Sequence, residues 1–134
     1  MVQNKIVIQR LDGSVGKGTT SDFMPNKEVF HLVPADVPPN GKPLSVIVKD
    51  LKAVFFVKDF MGDRHYRDNK EFDAAKPAPG KKIRVVFRDG EILIGTTQGY
   101  QPGRPGFFVV PVDPKSNNDR CYVVSNATRE VSFI

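Results

Sequence analysis

The chain contains one segment twice. Residues 5–57 and 82–134 align without a gap at a constant offset of 77 positions. More than a quarter of the 53 aligned pairs are identical, whereas ordinary composition would give roughly 3 by chance. A repeat constrains the fold strongly, because both copies must satisfy the same structural unit. Features that both copies keep belong to that unit, and features of one copy alone do not define it.

The repeat predicts two structural units where a length of 134 residues would normally indicate one. The predicted division is a first unit at 1–57, a linker at 58–81 and a second unit at 82–134. A unit of this size buries only about 60% of its unfolded surface, so we expect the two units to share an interface. The linker carries large apolar side chains, which predict that it packs back onto the units or forms a partner-binding loop. These side chains are Phe60, Met61, Tyr66 and Phe72.

Each copy is predicted to form five short strands and no helix. Val, Ile, Phe and Thr dominate the runs, and neither copy keeps a 3.6-residue period. The predicted strands are 5–11, 14–20, 28–33, 44–49 and 51–57 in the first copy and 82–88, 91–97, 106–110, 121–126 and 128–134 in the second. An Asp-Gly pair follows the first strand of each copy, at Asp12 and Asp89, and favours a type I′ hairpin turn.

A glycine lies inside the second strand of both copies, at Gly18 and Gly95. Such a glycine is typical of a tight bend at a barrel corner. A five-stranded meander with a bent second strand can close on itself and remove most of its edges. The predicted fold is therefore all-β, with two tandem five-stranded small barrels packed as a pseudo-dimer.

This order of strands, Asp-Gly turn, internal glycine and closing strands resembles the Sm-like and SH3-like small β-barrels. The resemblance covers both copies, 106 of the 134 residues. The whole sequence also looks like bacterial proteins of unassigned function, a resemblance that implies no activity. Sm-like RNA binders carry an Asp-x-apolar-Asn element after the second strand. Asp22 and Asn26 of the first copy are replaced by Gly99 and Gly103, so the resemblance transfers no RNA-binding residue.

The net charge of +5 is spread evenly over the two copies and the linker, so no segment is a basic arm. Cys121 is the only cysteine, which excludes an internal disulfide and predicts a small buried hydrophobe, because it aligns with Leu44 on a strand. The sequence shows no secretory leader and no apolar run long enough to span a membrane. We expect a soluble cytoplasmic protein without membrane contact.

The last strand of each copy predicts where the two copies meet. Val54 and Phe56 are identical in the second copy, at Val131 and Phe133, and are predicted to face each barrel's core. Strand residues alternate faces, so the outward positions of the first copy carry an apolar stripe. That stripe is a candidate interface, formed by Ala53, Phe55 and Val57. We expect the second copy, the linker or a second chain to cover Phe55.

The loop after the second strand supplies a candidate binding site in each copy. Both loops place an aromatic residue two positions before a proline and four before a cation. The candidate residues are Phe23, Pro25 and Lys27 in the first copy and Tyr100, Pro102 and Arg104 in the second. These groups suit contact with an anion, a nucleic acid or a peptide. The alternative interpretation is that each aromatic ring plugs the open end of its barrel.

No pattern predicts catalysis, a metal site or a cofactor. The stretch from Gly13 to Thr20 looks like a phosphate-binding loop but has Gly18 directly after Lys17, where that motif needs a serine or threonine. The two histidines, His31 and His65, have no nucleophile or metal-ligand spacing around them. Arg84 and Arg88 match half of an arginine motif found in cyclic-dinucleotide receptors of the PilZ type.

The sequence therefore predicts a non-enzymatic binding or adaptor module. A protein partner or self-association is the first hypothesis. RNA or DNA binding through a mildly basic barrel surface is the alternative, and a cyclic-dinucleotide receptor that depends on Arg84 is the third.

Overall fold

The computed structural model describes residues 3–25, 27–35, 42–58, 60, 80–100, 103–112 and 118–134. Within these ranges the protein is all-β, as predicted, and each strand begins and ends within three residues of its predicted bounds. The strands are β1 (Asn4–Arg10), β2 (Val15–Thr20), β3 (Val29–Pro34), β4 (Leu44–Ile47), β5 (Leu51–Val57), β6 (Lys81–Phe87), β7 (Ile92–Thr97), β8 (Gly106–Pro111), β9 (Asn118–Val124) and β10 (Thr128–Phe133). Most of the predicted linker, including Met61, Tyr66 and Phe72, lies outside the described residues.

The ten strands form a single antiparallel sheet in the order β10-β6-β7-β8-β9-β5-β1-β2-β3-β4. Two separate closed barrels were expected, whereas the described strands make one open sheet with β4 and β10 at its edges. Each copy contributes five neighbouring strands in the same order: its fifth, first, second, third and fourth. The two groups of five strands therefore have the same order, and they are continuous with each other in one sheet.

Strands β5 and β9 join the two copies. Antiparallel pairing brings Val54 opposite Tyr122 and Phe55 opposite Cys121, so the fifth strand of the first copy lies beside the fourth strand of the second. Because this pairing uses backbone hydrogen bonds, the junction is built like the interior of either copy. The junction explains why the sheet does not divide into two closed barrels.

Two hydrophobic cores flank this junction, and β5 contributes to both because its side chains alternate faces. Val54 and Phe56 join the first core, while Ala53, Phe55 and Val57 join the second. The remaining members of the first core are Ile6, Ile8, Phe30, Leu32, Val46, Val48, Leu51, Tyr122 and Val124. The second core also holds Ile83, Val85, Phe87, Phe107, Val109, Cys121, Val123 and Ala127. Each core thus contains side chains from both copies.

The Asp-Gly hairpin turns differ from the predicted type. A type I′ turn needs positive φ at both central residues, but only the glycines have it, with φ of 91° at Gly13 and 93° at Gly90. The Gly13 N–H donates to the Arg10 carbonyl at 3.0 Å. This is a type I turn followed by a left-handed glycine, the usual three-residue hairpin loop. The Asp12 carboxylate accepts the Ser14 N–H at 2.8 Å and fixes the loop.

The glycines at the predicted bends, Gly18 and Gly95, are required for a steric reason. A Cβ at Gly18 would overlap the carbonyl oxygen of Val33, and a Cβ at Gly95 would overlap that of Val110. The backbone of the second strand therefore approaches the third strand more closely than any other residue type allows. Both copies keep this approach.

Candidate functional site

The loop after β2 is fixed by a network around Asp22. The Thr20 hydroxyl donates to this carboxylate at 3.1 Å, the His31 N–H donates at 2.9 Å and the His31 ring nitrogen Nδ1 lies 2.6 Å away. Partial burial opposes ionisation of Asp22, but the hydrogen bonds from His31 and Thr20 outweigh it and lower its pKa. The network holds the loop over the end of the first core.

Phe23 packs into that end of the core. Its ring meets those of Phe30, Phe56 and Tyr122 edge-on, with centroids 5.0, 5.6 and 5.2 Å apart. Edge-to-face contacts of this kind stabilise by about 0.5–1.5 kcal/mol each beyond the area they bury. The geometry is that of a plug. Pro25 and Lys27 are exposed, and the Pro25 carbonyl accepts the Tyr122 hydroxyl at 3.2 Å.

The matching loop of the second copy packs in the same way. Tyr100 is partly buried against the second core, with its ring 4.7 Å from that of Phe107 and 6.2 Å from that of Phe133. Thr97, the counterpart of Thr20, donates its hydroxyl to the Phe108 carbonyl at 2.8 Å. Arg104 is exposed, and Pro102 lies outside the described residues. Each aromatic ring therefore packs against its own unit and does not project from it as a surface on which a partner could stack.

The candidate interface stripe lies inside the chain. Ala53, Phe55 and Val57 are buried in the second core, where they pack with side chains of the second copy. The stripe thus serves as the contact between the two copies. Phe133 was predicted to face a core like Phe56, but it is half exposed, because no described strand lies beyond β10.

A buried lysine, Lys52, forms polar contacts between the two copies. The Lys52 ammonium donates to Asp89 at 2.8 Å and to Glu91 at 3.2 Å, and it lies 4.6 Å from the centre of the Phe87 ring. Burial disfavours the charged lysine, yet the hydrogen bonds that Lys52 donates to the two carboxylates prevail and raise its pKa. The bond from Lys52 is the largest cause of the lowered pKa of Asp89.

A groove of about 690 Å³ runs between the copies, lined by Val7, Lys17, Phe55, Arg84 and Leu93 among others. Lys17 donates its ammonium to the Phe60 carbonyl at 2.9 Å. Arg84 is half-buried in this groove, whereas Arg88 lies in a separate depression near the Asp89 turn. The two arginines of the partial cyclic-dinucleotide motif therefore do not face one site.

The described residues hold no group of histidine, cysteine and carboxylate side chains arranged to bind a metal ion. Burial raises the pKa of the Cys121 thiol, which makes this cysteine a weak nucleophile at neutral pH. In the same part of the chain, no helix has the length and apolarity needed to cross a membrane.

The edges of the sheet are the remaining candidate surface. At the first edge, β4 exposes Leu44 and Ile47, and Val29 is exposed on the neighbouring strand β3. At the second edge, Phe133 and Ile134 are exposed on and just after β10. We call these the β4 edge and the β10 edge. Five of the nine exposed large apolar side chains among the described residues lie at these edges.

The sequence did not indicate three of these features. The Asp22–His31 contact occurs in the first copy only, so a comparison of the two copies gives no indication of it. Lys52 aligns with Arg129, and the positive charge that both copies keep at this position is a sequence signal that could have identified Lys52 as a functional residue. The exposed edges depend on which strands become neighbours across the copies, and a pattern within one strand does not encode that choice.

Comparison with known proteins gives one positive result. A family model described as a family of unknown function (DUF6982) matches residues 2–134. No curated protein and no solved structure matches the chain.

Proposed function

We propose that this chain, which belongs to that family of unknown function, is a non-enzymatic interaction module that binds protein partners through the two strand edges that no other described strand pairs with. The observation that carries the proposal is the concentration of exposed apolar side chains at the β4 and β10 edges. The same proposal treats each five-strand group as a small barrel of the Sm-like or SH3-like type. The strand order and the close backbone approach at Gly18 and Gly95 support that assignment.

An unpaired edge presents a row of N–H and C=O groups that an extended segment of another protein can pair with. The Ile134 N–H donates to the Lys82 carbonyl at 3.1 Å. By the alternation of an antiparallel ladder, the backbone groups of Val131 and Phe133 then point away from β6. The β10 edge therefore offers both backbone hydrogen bonds and the exposed Phe133 ring to a partner strand.

The structure favours this class over nucleic-acid binding for a specific reason. Sequence-tolerant binding of single strands uses exposed aromatic faces for stacking. The rings of Phe23 and Tyr100 pack against their own cores instead. Lys27 and Arg104 are exposed cations.

The proposal is tested with a displayed library of random peptides selected on the immobilised chain. We expect selected peptides to bind the Phe133→Lys or Leu44→Lys variant at least tenfold more weakly, because a charge is placed on one edge. The control is Val110→Lys, which adds the same charge at an exposed apolar position on β8, away from both edges.

A mixed RNA and DNA pool is assayed in parallel. Tight binding that falls steeply with salt and does not respond to the edge substitutions would overturn the proposal in favour of a nucleic-acid function. Peptide binding that is equal in the edge variants and in Val110→Lys would also overturn it.

A further inference from the structure

We infer that the partner of the two edges is a second copy of this chain, with the β4 edge of one molecule pairing to the β10 edge of the next. This inference rests on the proposed function and names its partner. The pairing would repeat, between molecules, the contact that β5 and β9 make within the chain. The strands involved occupy the same places in the two copies, because β10 is the counterpart of β5 and β4 is the counterpart of β9.

The internal contact shows what such a pairing does to the side chains concerned. Phe56 on β5 is 5% exposed, whereas its counterpart Phe133 on the open edge is 53% exposed. Cys121 on β9 is 0% exposed, and its counterpart Leu44 on β4 is 50% exposed. The same positions are therefore buried where the fourth and fifth strands meet and exposed where they do not.

The duplication also predicts the register of the intermolecular pair. Phe55 lies opposite Cys121, and Val54 lies opposite Tyr122. Moving each residue by the 77-residue offset places Ser132 opposite Leu44 and Val131 opposite Ser45. The outward backbone groups of Val131 then meet those of Ser45, which is the hydrogen-bonding arrangement an antiparallel pair needs.

The intermolecular contact should be weaker than the internal one. Strand β4 has only four residues, against seven in β9. The counterpart of Arg120, whose guanidinium lies 4.3 Å from the centre of the Phe56 ring, is Pro43, which has no N–H to donate. The internal pairing also benefits from the high effective concentration of strands in one chain. We therefore expect association that increases with protein concentration.

The contact joins two different edges, so it is heterologous. Each molecule that binds through its β4 edge leaves its β10 edge open to another copy. Heterologous contacts give rings when the rotation between neighbours closes, and open filaments when it does not. Association should therefore proceed beyond a dimer.

A disulfide trap tests the inference directly. One chain carries Leu44→Cys and a second, size-tagged chain carries Ser132→Cys. These positions form a non-hydrogen-bonded pair in the expected register, with a Cα separation of about 4.5 Å, within the range of about 4.4–6.8 Å that a disulfide spans. Mild oxidation of the mixture should yield mixed dimers at least tenfold above the control.

The control replaces Leu44→Cys by Ser45→Cys, one residue out of register, which puts the two thiols on opposite faces of the sheet. Each variant oxidised alone controls for reaction with Cys121. Equal yields from both mixtures, or dimers formed mainly within one variant, would overturn the head-to-tail pairing. Circular dichroism of the cysteine variants verifies that they fold.

Sedimentation of the reduced proteins gives a second measurement. The unsubstituted chain and Val110→Lys should sediment faster as concentration rises, whereas Phe133→Lys should remain a monomer. An unsubstituted chain that is monomeric throughout and forms no trapped dimer overturns the inference. If it still binds edge-dependent peptides, the proposed function stands. If it binds none, the proposed function fails as well.

Discussion

At the scale of single residues, substitution of the polar residue Lys52 should lower the stability of the fold. Its side chain is buried, while the Asp89 and Glu91 carboxylates that hold it are more than half exposed. Charge-assisted hydrogen bonds contribute about 1.5–3 kcal/mol, but exposure of the carboxylates reduces that contribution. Lys52 therefore adds an electrostatic link between the copies to their apolar contact.

We predict that Lys52→Met lowers the free energy of unfolding by about 1–2 kcal/mol, because the apolar stem is retained while the two hydrogen bonds are lost. Urea unfolding followed by circular dichroism measures this change. Lys49→Met is the matched control at an exposed lysine, and it should change stability by less than about 0.5 kcal/mol. A loss of equal size in both variants would contradict the role of Lys52.

The pH dependence of the same contact follows from the direction of the Asp89 pKa. The hydrogen bond from Lys52 holds this pKa below its ordinary value of 3.8. The contact therefore contributes stability above pH 3.8 and loses it as pH falls through the lowered pKa of the folded state. We predict that the stability difference between the unsubstituted chain and Lys52→Met narrows between pH 5 and pH 2. A difference that stays constant over this range would count against the prediction.

At the scale of elements, the sequence predicts the strands well because both copies show the same apolar runs and the same punctuation. Strand β5 was predicted at its observed bounds, and both glycines that the sequence marked inside a strand, Gly18 and Gly95, lie where a Cβ would overlap the neighbouring strand. The hairpin turn type was wrong, because Asp-Gly also suits a type I turn in which only the glycine takes positive φ. Local residue preference leaves that choice open, and the length of the loop decides it, because the Arg10 N–H donates to the Ser14 carbonyl and leaves three residues between them.

The bend glycines give a prediction with a control in the same chain. Gly18→Ala and Gly95→Ala should each destabilise the protein by about 3 kcal/mol, because the new methyl group overlaps a carbonyl oxygen and forces the strands apart. Gly99→Ala should change stability by less than about 0.5 kcal/mol, since a Cβ there meets nothing within 4 Å. Thermal unfolding measures all three variants. Similar midpoints for Gly95→Ala and Gly99→Ala would show that the close approach is unimportant.

At the scale of the whole molecule, the sequence predicted that the two copies share an interface but not its form. The apolar stripe of β5 indicated a covered face, and side chains of the second copy cover it. Which strand pairs with β5 depends on matching two edges from different copies, whose hydrogen bonds are the same for every residue type except proline. The candidate loops were identified by their residues, but only packing shows that Phe23 and Tyr100 face inward. The sequence pattern thus predicts the strands of each copy, whereas the way in which the two copies join depends on long-range contacts.

The interlocked cores predict that the two copies unfold together. Tyr122 and Val124 from the second copy complete the first core, and Phe55 from the first copy helps to fill the second. A cavity in one core should therefore lower the stability of both. We predict that Val109→Ala, at a fully buried site in the second core, reduces the free energy of exchange of protected amides by about 2 kcal/mol in both copies alike.

Residue-resolved hydrogen exchange checks this prediction at the amides of Ile8 in β1 and Val85 in β6. Val110→Ala, at the neighbouring exposed position, is the control and should leave both amides unchanged within about 0.5 kcal/mol. If Val109→Ala weakens the protection of Val85 alone, the copies open independently and β5–β9 pairing is a contact between two separately stable units. If both fall together, the fold is one cooperative unit whose open edges lie only at β4 and β10 within the described part of the chain.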